Sequence, residues 1–188
     1  MQVASAVHSS FAKGIGLRDE HIVALSNLPK QPEVDFLELA PENWMNIGGA
    51  KRESLQYIAT IYPIVAHGLS LSIGDTQPLN MEFLTQIRNF LDKYQIEIYS
   101  EHLSFSRDTQ GYLYELLPFP SYKSGIQYLT KRIQQVQDIL ERTLVLENIS
   151  RYHIYPDELK EAEFIAELVE TSKCKILLDI NNIYVNCR

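Results

Sequence analysis

Cysteine is scarce in this sequence: Cys174 and Cys187 are the only two in 188 residues, and they form no CxxC pair. A disulfide framework and a thiolate zinc site are therefore not expected, and both are read as reduced thiols. No apolar run approaches the ~20 residues that a membrane-spanning helix needs. Residues 1–13 lack a basic start followed by an apolar core, so no signal peptide is expected and the expected compartment is the cytoplasm. Positive charge is not in excess either. Lys and Arg number 17 against 24 Asp and Glu, a formal net charge of −7. That balance disfavours non-specific attraction to nucleic acid or to an anionic membrane, and neither is an expected partner. Low-complexity segments and an obvious internal repeat are absent, which leaves an ordinary globular chain with a substantial core. Gly14-Ile15-Gly16 is followed by Arg18, but no strand precedes it and the third glycine of a phosphate-binding fingerprint is missing. The pair of glycines predicts tight backbone near the first strand. Arg18 reads either as an anion ligand or as a structural arginine.

What the chain does contain is a recurring pattern of short apolar runs that stop on a polar residue. Val34-Asp35-Phe36-Leu37 ends in Glu38, and Pro63-Ile64-Val65-Ala66 ends in His67. Ile96-Glu97-Ile98-Tyr99-Ser100 ends in Glu101-His102, Thr143-Leu144-Val145-Leu146 in Glu147-Asn148, and Lys175-Ile176-Leu177-Leu178 in Asp179. Each run is long enough for a buried strand and too short for a helix. Between them lie segments with helical spacing of apolar residues, over 19–28, 54–62, 80–94, 124–141 and 157–171. Glu158, Glu161, Glu163, Glu167 and Glu170 in the last of these read as a solvated face. The connection over 105–122 is long and reads either as a lid or binding loop or as a structural one. No helix is expected after the last strand.

Strand and helix alternating in this way predict a parallel α/β sheet. The intervals from Glu38 to His67 and from Glu147 to Asp179 match a (β/α)8 TIM barrel, which uses ~250 residues over eight units. A doubly wound sheet has similar units but brings fewer strand ends into one site. The expectation is a single domain over residues 1–188: a barrel truncated to about its first five βα units, the N-terminal two-thirds of a metal-binding barrel. Chemistry in such folds sits at the carboxyl ends of the strands, where Glu, His, Glu-His, Glu and Asp are all metal-ligand types. Each has a plainer reading. A lone histidine after an apolar run, such as His67, is commonly a hydrogen-bonded core residue, although Gly68 beside it permits close approach of a ligand. Glu38, Glu42 and Asn43 beside Trp44 can equally be a turn and capping cluster. Neighbouring strand residues face opposite ways, so of Glu101 and His102 only one faces inward, and His102 is taken as that one. Paired-carboxylate acid–base catalysis is a weaker reading, because it leaves the histidines unexplained.

Six motifs in order then resemble a known family. They are Gly16-Leu17-Arg18, Glu38-Leu39-Ala40-Pro41-Glu42-Asn43, His67-Gly68-Leu69-Ser70-Leu71-Ser72, Ser100-Glu101-His102-Leu103-Ser104, Leu146-Glu147-Asn148 and Leu178-Asp179-Ile180-Asn181-Asn182. Together they are similar to the multinuclear non-heme iron-dependent oxidases. The resemblance implies a xylose-isomerase-like TIM barrel holding two or three iron ions, or another divalent metal. It implies oxidative modification of residues, cysteine among them, in a ribosomally made precursor peptide that a small partner protein can present. Carried over by position, it implies His67, His102, Glu147, Asp179 and Asn182 as metal ligands, with Glu38, Asn43 and Asn181 as cofactor-binding or orienting residues. The family supplies further ligands after the Asp-x-Asn-Asn segment, a region this chain lacks. A divalent-metal isomerase or phosphoesterase on the same barrel, or a non-catalytic fragment, are the alternatives from other classes.

Overall fold

The computed structural model describes residues 11–107 and 111–188. The stretch read for a signal peptide lies outside the described residues up to residue 10, and the long connection does so over 108–110. In chain order the elements are β1 (Gly14–Gly16), α1 (Asp19–Asn27), β2 (Phe36–Leu39), a 3-10 turn (Pro41–Asn43), α2 (Gly49–Ile61), β3 (Ile64–His67), α3 (Met81–Lys93) and β4 (Tyr99–His102). There follow β5 (Ser104–Arg107), β6 (Tyr112–Pro118), α4 (Lys123–Leu140), β7 (Leu144–Glu147), α5 (Glu161–Ser172), β8 (Lys175–Leu177) and α6 (Ile180–Asn186).

Six strands form a parallel sheet in the order β1-β2-β3-β4-β7-β8, and β5 with β6 forms a separate two-stranded sheet. The large sheet runs in sequence order without a reversal. A doubly wound sheet reverses its strand order at a switch point, whereas a barrel adds each strand beside the last. The α/β class and the barrel progression expected from the sequence are therefore present.

By its contacts the chain divides into two compact units, Met1–Gly68 with Gln86–Tyr99, and Leu69–Thr85 with Ser100–Arg188. In the first, β1 pairs with β2 from Gly14↔Phe36 to Gly16↔Glu38, and β2 with β3 from Leu37↔Ile64 to Leu39↔Ala66. Gly14-Ile15-Gly16 is thus a strand, where the sequence suggested only a tight loop. A side chain at Gly14 would force the Phe36 ring to shift, since a Cβ would fall 2.1 Å from it. Leu37 and Leu39 alternate buried with half-buried Phe36 and Glu38, while Ile64, Val65 and Ala66 are buried in succession, as strands covered on both faces are. α2 starts five residues before the expected boundary, at Gly49, whose φ of +59 suits a residue without a side chain. It buries Leu55 and Ile58. The buried Tyr62 beyond it accepts the Gln31 N–H on its hydroxyl at 2.7 Å.

In the second unit α4 buries Ile126, Leu129, Ile133, Val136 and Leu140, and packs on α5 through the stripe that includes Phe164 and Leu168. β7 pairs with β8 from Val145↔Lys175 to Glu147↔Leu177. The long connection is largely a β-hairpin, β5 on β6, with a register shift between Phe105 and Arg107. It is fastened to the segment before α3. Gly74 N–H donates to the Ser104 carbonyl at 2.9 Å, Ser106 N–H to Ser72 Oγ at 2.9 Å, and Arg107 Nε to Asp75 Oδ2 at 2.8 Å. Arg132 of α4 holds the same segment through Ile73 O at 2.7 Å and Gln77 O at 2.8 Å, and burial lowers its pKa from the ordinary arginine value.

Three further expectations are corrected here. The helix expected from Asp157 begins at Glu161, because Asp157 has φ +64. Glu158 is not on a solvated face: it accepts Ser121 N–H at 2.7 Å and Arg151 Nη2 at 2.6 Å, and its side chain is 1% exposed. A buried carboxylate demands such partners, and they pull it out of the helix. After β8 the chain continues into the seven-residue α6, capped by Asp179, where no helix was expected.

Candidate metal centre

His102, Glu147, Asp179 and Asn182 lie in the second unit. Alternation along β4 sends Glu101 and His102 to opposite faces. Glu101, 1% exposed, accepts the Leu71 N–H on Oε1 at 3.1 Å. His102 turns the other way, and its Nε2 lies 3.5 Å from Glu147 Oε2, with the two side chains 11% and 9% exposed. The strands fix this approach, because Leu103 N–H donates to the Glu147 carbonyl at 3.0 Å.

Beyond Glu147 the β7–β8 ladder stops and side chains take over the pairing. Asp179 N–H donates to Asn148 Oδ1 at 2.8 Å, and Asn148 Nδ2 donates back to the Asp179 carbonyl at 3.0 Å. Asp179 then caps α6, accepting Asn182 N–H on Oδ1 at 2.9 Å. Among the described residues its Oδ2 receives no hydrogen bond. Asn182 in turn donates through Nδ2 to Glu147 Oε1 at 3.3 Å and to the Asn148 carbonyl at 2.9 Å, while its Oδ1 accepts from Ser150 Oγ at 2.6 Å. The Asn182 amide is thereby occupied in orienting the Glu147 carboxylate. Asn181, next to it, is exposed.

His67 ends β3 in the first unit. Within the second unit, His102 and Glu147 each offer one ligand atom, 3.5 Å apart, and His67 is a further residue of metal-ligand type. Metal bonds of about 2.0–2.2 Å place two donors on one ion roughly 3–4 Å apart, the spacing the His102–Glu147 pair already has. Two imidazoles and a carboxylate fit iron, manganese or zinc. The group includes neither Glu38 nor Asp179. Glu38, the third residue of β2, is half-buried, its carbonyl accepting the Leu17 N–H at 2.6 Å. Asn43 is exposed in the 3-10 turn, and its N–H donates to the Ala40 carbonyl at 3.0 Å. Neither Asn148, at the strand end, nor Ser150 after it has an assigned role in the sequence pattern. The available signal was an amide directly after a ligand-type carboxylate where a ladder runs out.

Cys174 is buried and Cys187 exposed, and both are free thiols. Among the described residues no helix is long and apolar enough to cross a membrane.

Comparison with known proteins agrees with the fold. D-psicose 3-epimerase from Clostridium cellulolyticum, solved with D-tagatose, superposes with a TM-score of 0.60 at 13% identity, covering 93% of this chain and 65% of its own. That likeness identifies a xylose-isomerase-like TIM barrel and carries no activity with it. In sequence, a UPF0276 protein of Acinetobacter baylyi is 48% identical over 173 residues, which is 92% of this chain and 59% of that protein. A UPF0276 protein of Shewanella oneidensis is 44% identical over 174 residues, 92% of this chain and 61% of its own length. The chain thus spans about three-fifths of these relatives. The model of the RiPP precursor modification enzymes MbnB/TglH/ChrH matches residues 12–188. On that match across almost its whole length, the chain belongs to the RiPP precursor modification enzyme family MbnB/TglH/ChrH.

Proposed function

We propose that this chain is the N-terminal, metal-binding two-thirds of an iron-dependent oxidase that modifies residues, cysteine first among them, of a ribosomally made precursor peptide in the cytoplasm. The observation that carries the reading is the approach of His102 to Glu147 at 3.5 Å within the second unit. The family match supports a peptide as the class of substrate. A small partner protein presenting that peptide belongs to the same proposal.

In this reading His67, His102 and Glu147 hold metal, Asp179 adds a carboxylate oxygen, and Asn182 fixes the Glu147 carboxylate or joins the ligand set. Glu38, Asn43 and Asn181 complete the cofactor-binding set. Glu147 has two oxygens and a side chain only 9% exposed, so its charge would be little screened by water and would serve as counter-charge for cations held there. Iron bound there, as two or three ions, supplies the one-electron chemistry with dioxygen that amino-acid side chains lack. The protein's own part is to hold the donors at fixed spacing, keep both histidines neutral for ligation, and exclude bulk water.

The test is elemental analysis of the purified chain together with its optical spectrum before and after exposure to air. Stoichiometric iron and an oxygen-dependent absorption change are expected. Stoichiometric zinc or magnesium with a silent spectrum would favour a metal-dependent isomerase or phosphoesterase instead. A chain that takes up no metal from iron-, cobalt- or zinc-supplemented buffer would be a non-catalytic piece.

A further inference from the structure

We propose that Asn148 is the positioning residue of the metal centre: its amide sets the separation of the Glu147 and Asp179 carboxylates. The inference rests on the metal-binding reading above. Asn148 touches no ligand atom itself. Its side chain, in a residue only 3% exposed, satisfies both main-chain polar groups of Asp179, at 2.8 and 3.0 Å. It stands in for the ladder rung that β7 and β8 no longer make after Glu147↔Leu177.

The hydrogen bonds close a circuit. The Asn148 amide fixes the Asp179 backbone, the Asp179 carboxylate fixes the start of α6 through Asn182 N–H, and the Asn182 amide returns to the Asn148 carbonyl and to Glu147 Oε1. Only an amide of this length offers one donor and one acceptor in the same plane at the spacing of a peptide group. With the circuit closed, Glu147 presents Oε2 toward His102 and Asp179 keeps Oδ2 for a ligand role. With it open, the half-buried Asp179 N–H loses its partner, its carbonyl keeps only the Ile183 N–H at 3.2 Å, and the turn into α6 relaxes, carrying Asp179 and Asn182 with it. Partners of this kind behind the ligands affect metal affinity by about 10–100-fold when removed.

The experiment titrates Co(II) anaerobically into wild-type, Asn148→Ala and Asn148→Ser chains, reading affinity and the ligand-field absorption bands, with folding checked by far-UV circular dichroism. Ser172→Ala is the control: Ser172 is buried and its hydroxyl donates to the Leu168 carbonyl at 2.7 Å, away from the circuit, so it lowers stability alone. The expected result is a loss of Co(II) affinity of about 10–100-fold and shifted bands in both Asn148 variants, against unchanged binding in the control. Wild-type affinity and spectrum in a folded Asn148 variant would overturn the inference while leaving the metal reading standing. Equal loss in the Ser172 control, or failure of both Asn148 variants to fold, would make Asn148 an architectural residue and overturn it too. No Co(II) uptake by the wild-type chain would instead overturn the metal reading on which it rests.

Discussion

Nε2 of His102 stands 3.5 Å from Oε2 of Glu147, across two strands that are locked beside each other by the Leu103 N–H to Glu147 carbonyl bond. The register therefore delivers an imidazole and a carboxylate to one point before any ligand arrives. Preformed donors lose little conformational freedom on binding, which favours a bound ion over a flexible, transient one.

His67→Ala tests whether the histidine after β3 belongs with that pair. Removing one imidazole weakens metal binding directly, while a site at strand ends leaves the strands themselves paired. Bound iron or cobalt per chain, measured by elemental analysis, is expected to fall with the far-UV circular dichroism unchanged. Full metal content in the variant would return His67 to the role of a core histidine.

Glu101 is expected to matter for stability and not for metal. Glu101→Leu deprives the Leu71 N–H of its acceptor in a buried setting and is expected to cost about 1–3 kcal/mol. Glu101→Gln keeps an acceptor oxygen and is expected to cost clearly less. Urea unfolding midpoints rank the two. Metal uptake lost in either variant, with the fold intact, would place Glu101 in the site alongside His102.

The thiols give a pH-dependent readout. Burial raises the Cys174 pKa, so the fold favours its protonated form. That contribution to stability is complete below the thiol's unfolded pKa and fades as pH rises through the folded value. In mildly alkaline buffer the native chain is expected to react rapidly at exposed Cys187 alone, and at both thiols once unfolded. Mass spectrometry after brief alkylation checks this; equal labelling of the two in the native chain would show Cys174 to be accessible.

The sequence made the strand ends legible because each apolar run stops on a titratable residue: His67, His102, Glu147 and Asp179 each interrupt an apolar string. The six-stranded sheet was one strand short in that reading, because Gly14-Ile15-Gly16 has no apolar run and is held as a strand by its pairing with Phe36-Leu37-Glu38. The hairpin after β4 was hidden for a similar reason. Its order depends on Asp75, Ser72 and Gly74, some 30 residues earlier in the chain. Glu158 looked like one more helix-surface glutamate, and only the tertiary placement of Arg151 and Ser121 draws it inward. The Asn148–Asp179 pairing was beyond reach from sequence, since it needs the register of β7 against β8. Local pattern shows where a strand ends; it does not show which neighbour a polar side chain meets there.

The central claim is that Glu147 holds metal, and Glu147→Gln tests it most directly. The amide is nearly isosteric, so packing around β7 is expected to survive. Its oxygen would keep the bond from Asn182 Nδ2, which turns the NH2 group toward His102, where a cation would otherwise sit. The measurement is metal bound per chain after anaerobic loading with Fe(II) and removal of excess, compared between wild type and Glu147→Gln with circular dichroism as the folding check. The expected result is stoichiometric iron in the wild type and affinity lower by about tenfold or more in a folded variant. Equal iron in the two chains would remove Glu147 from the ligand set and contradict the metal centre built around it.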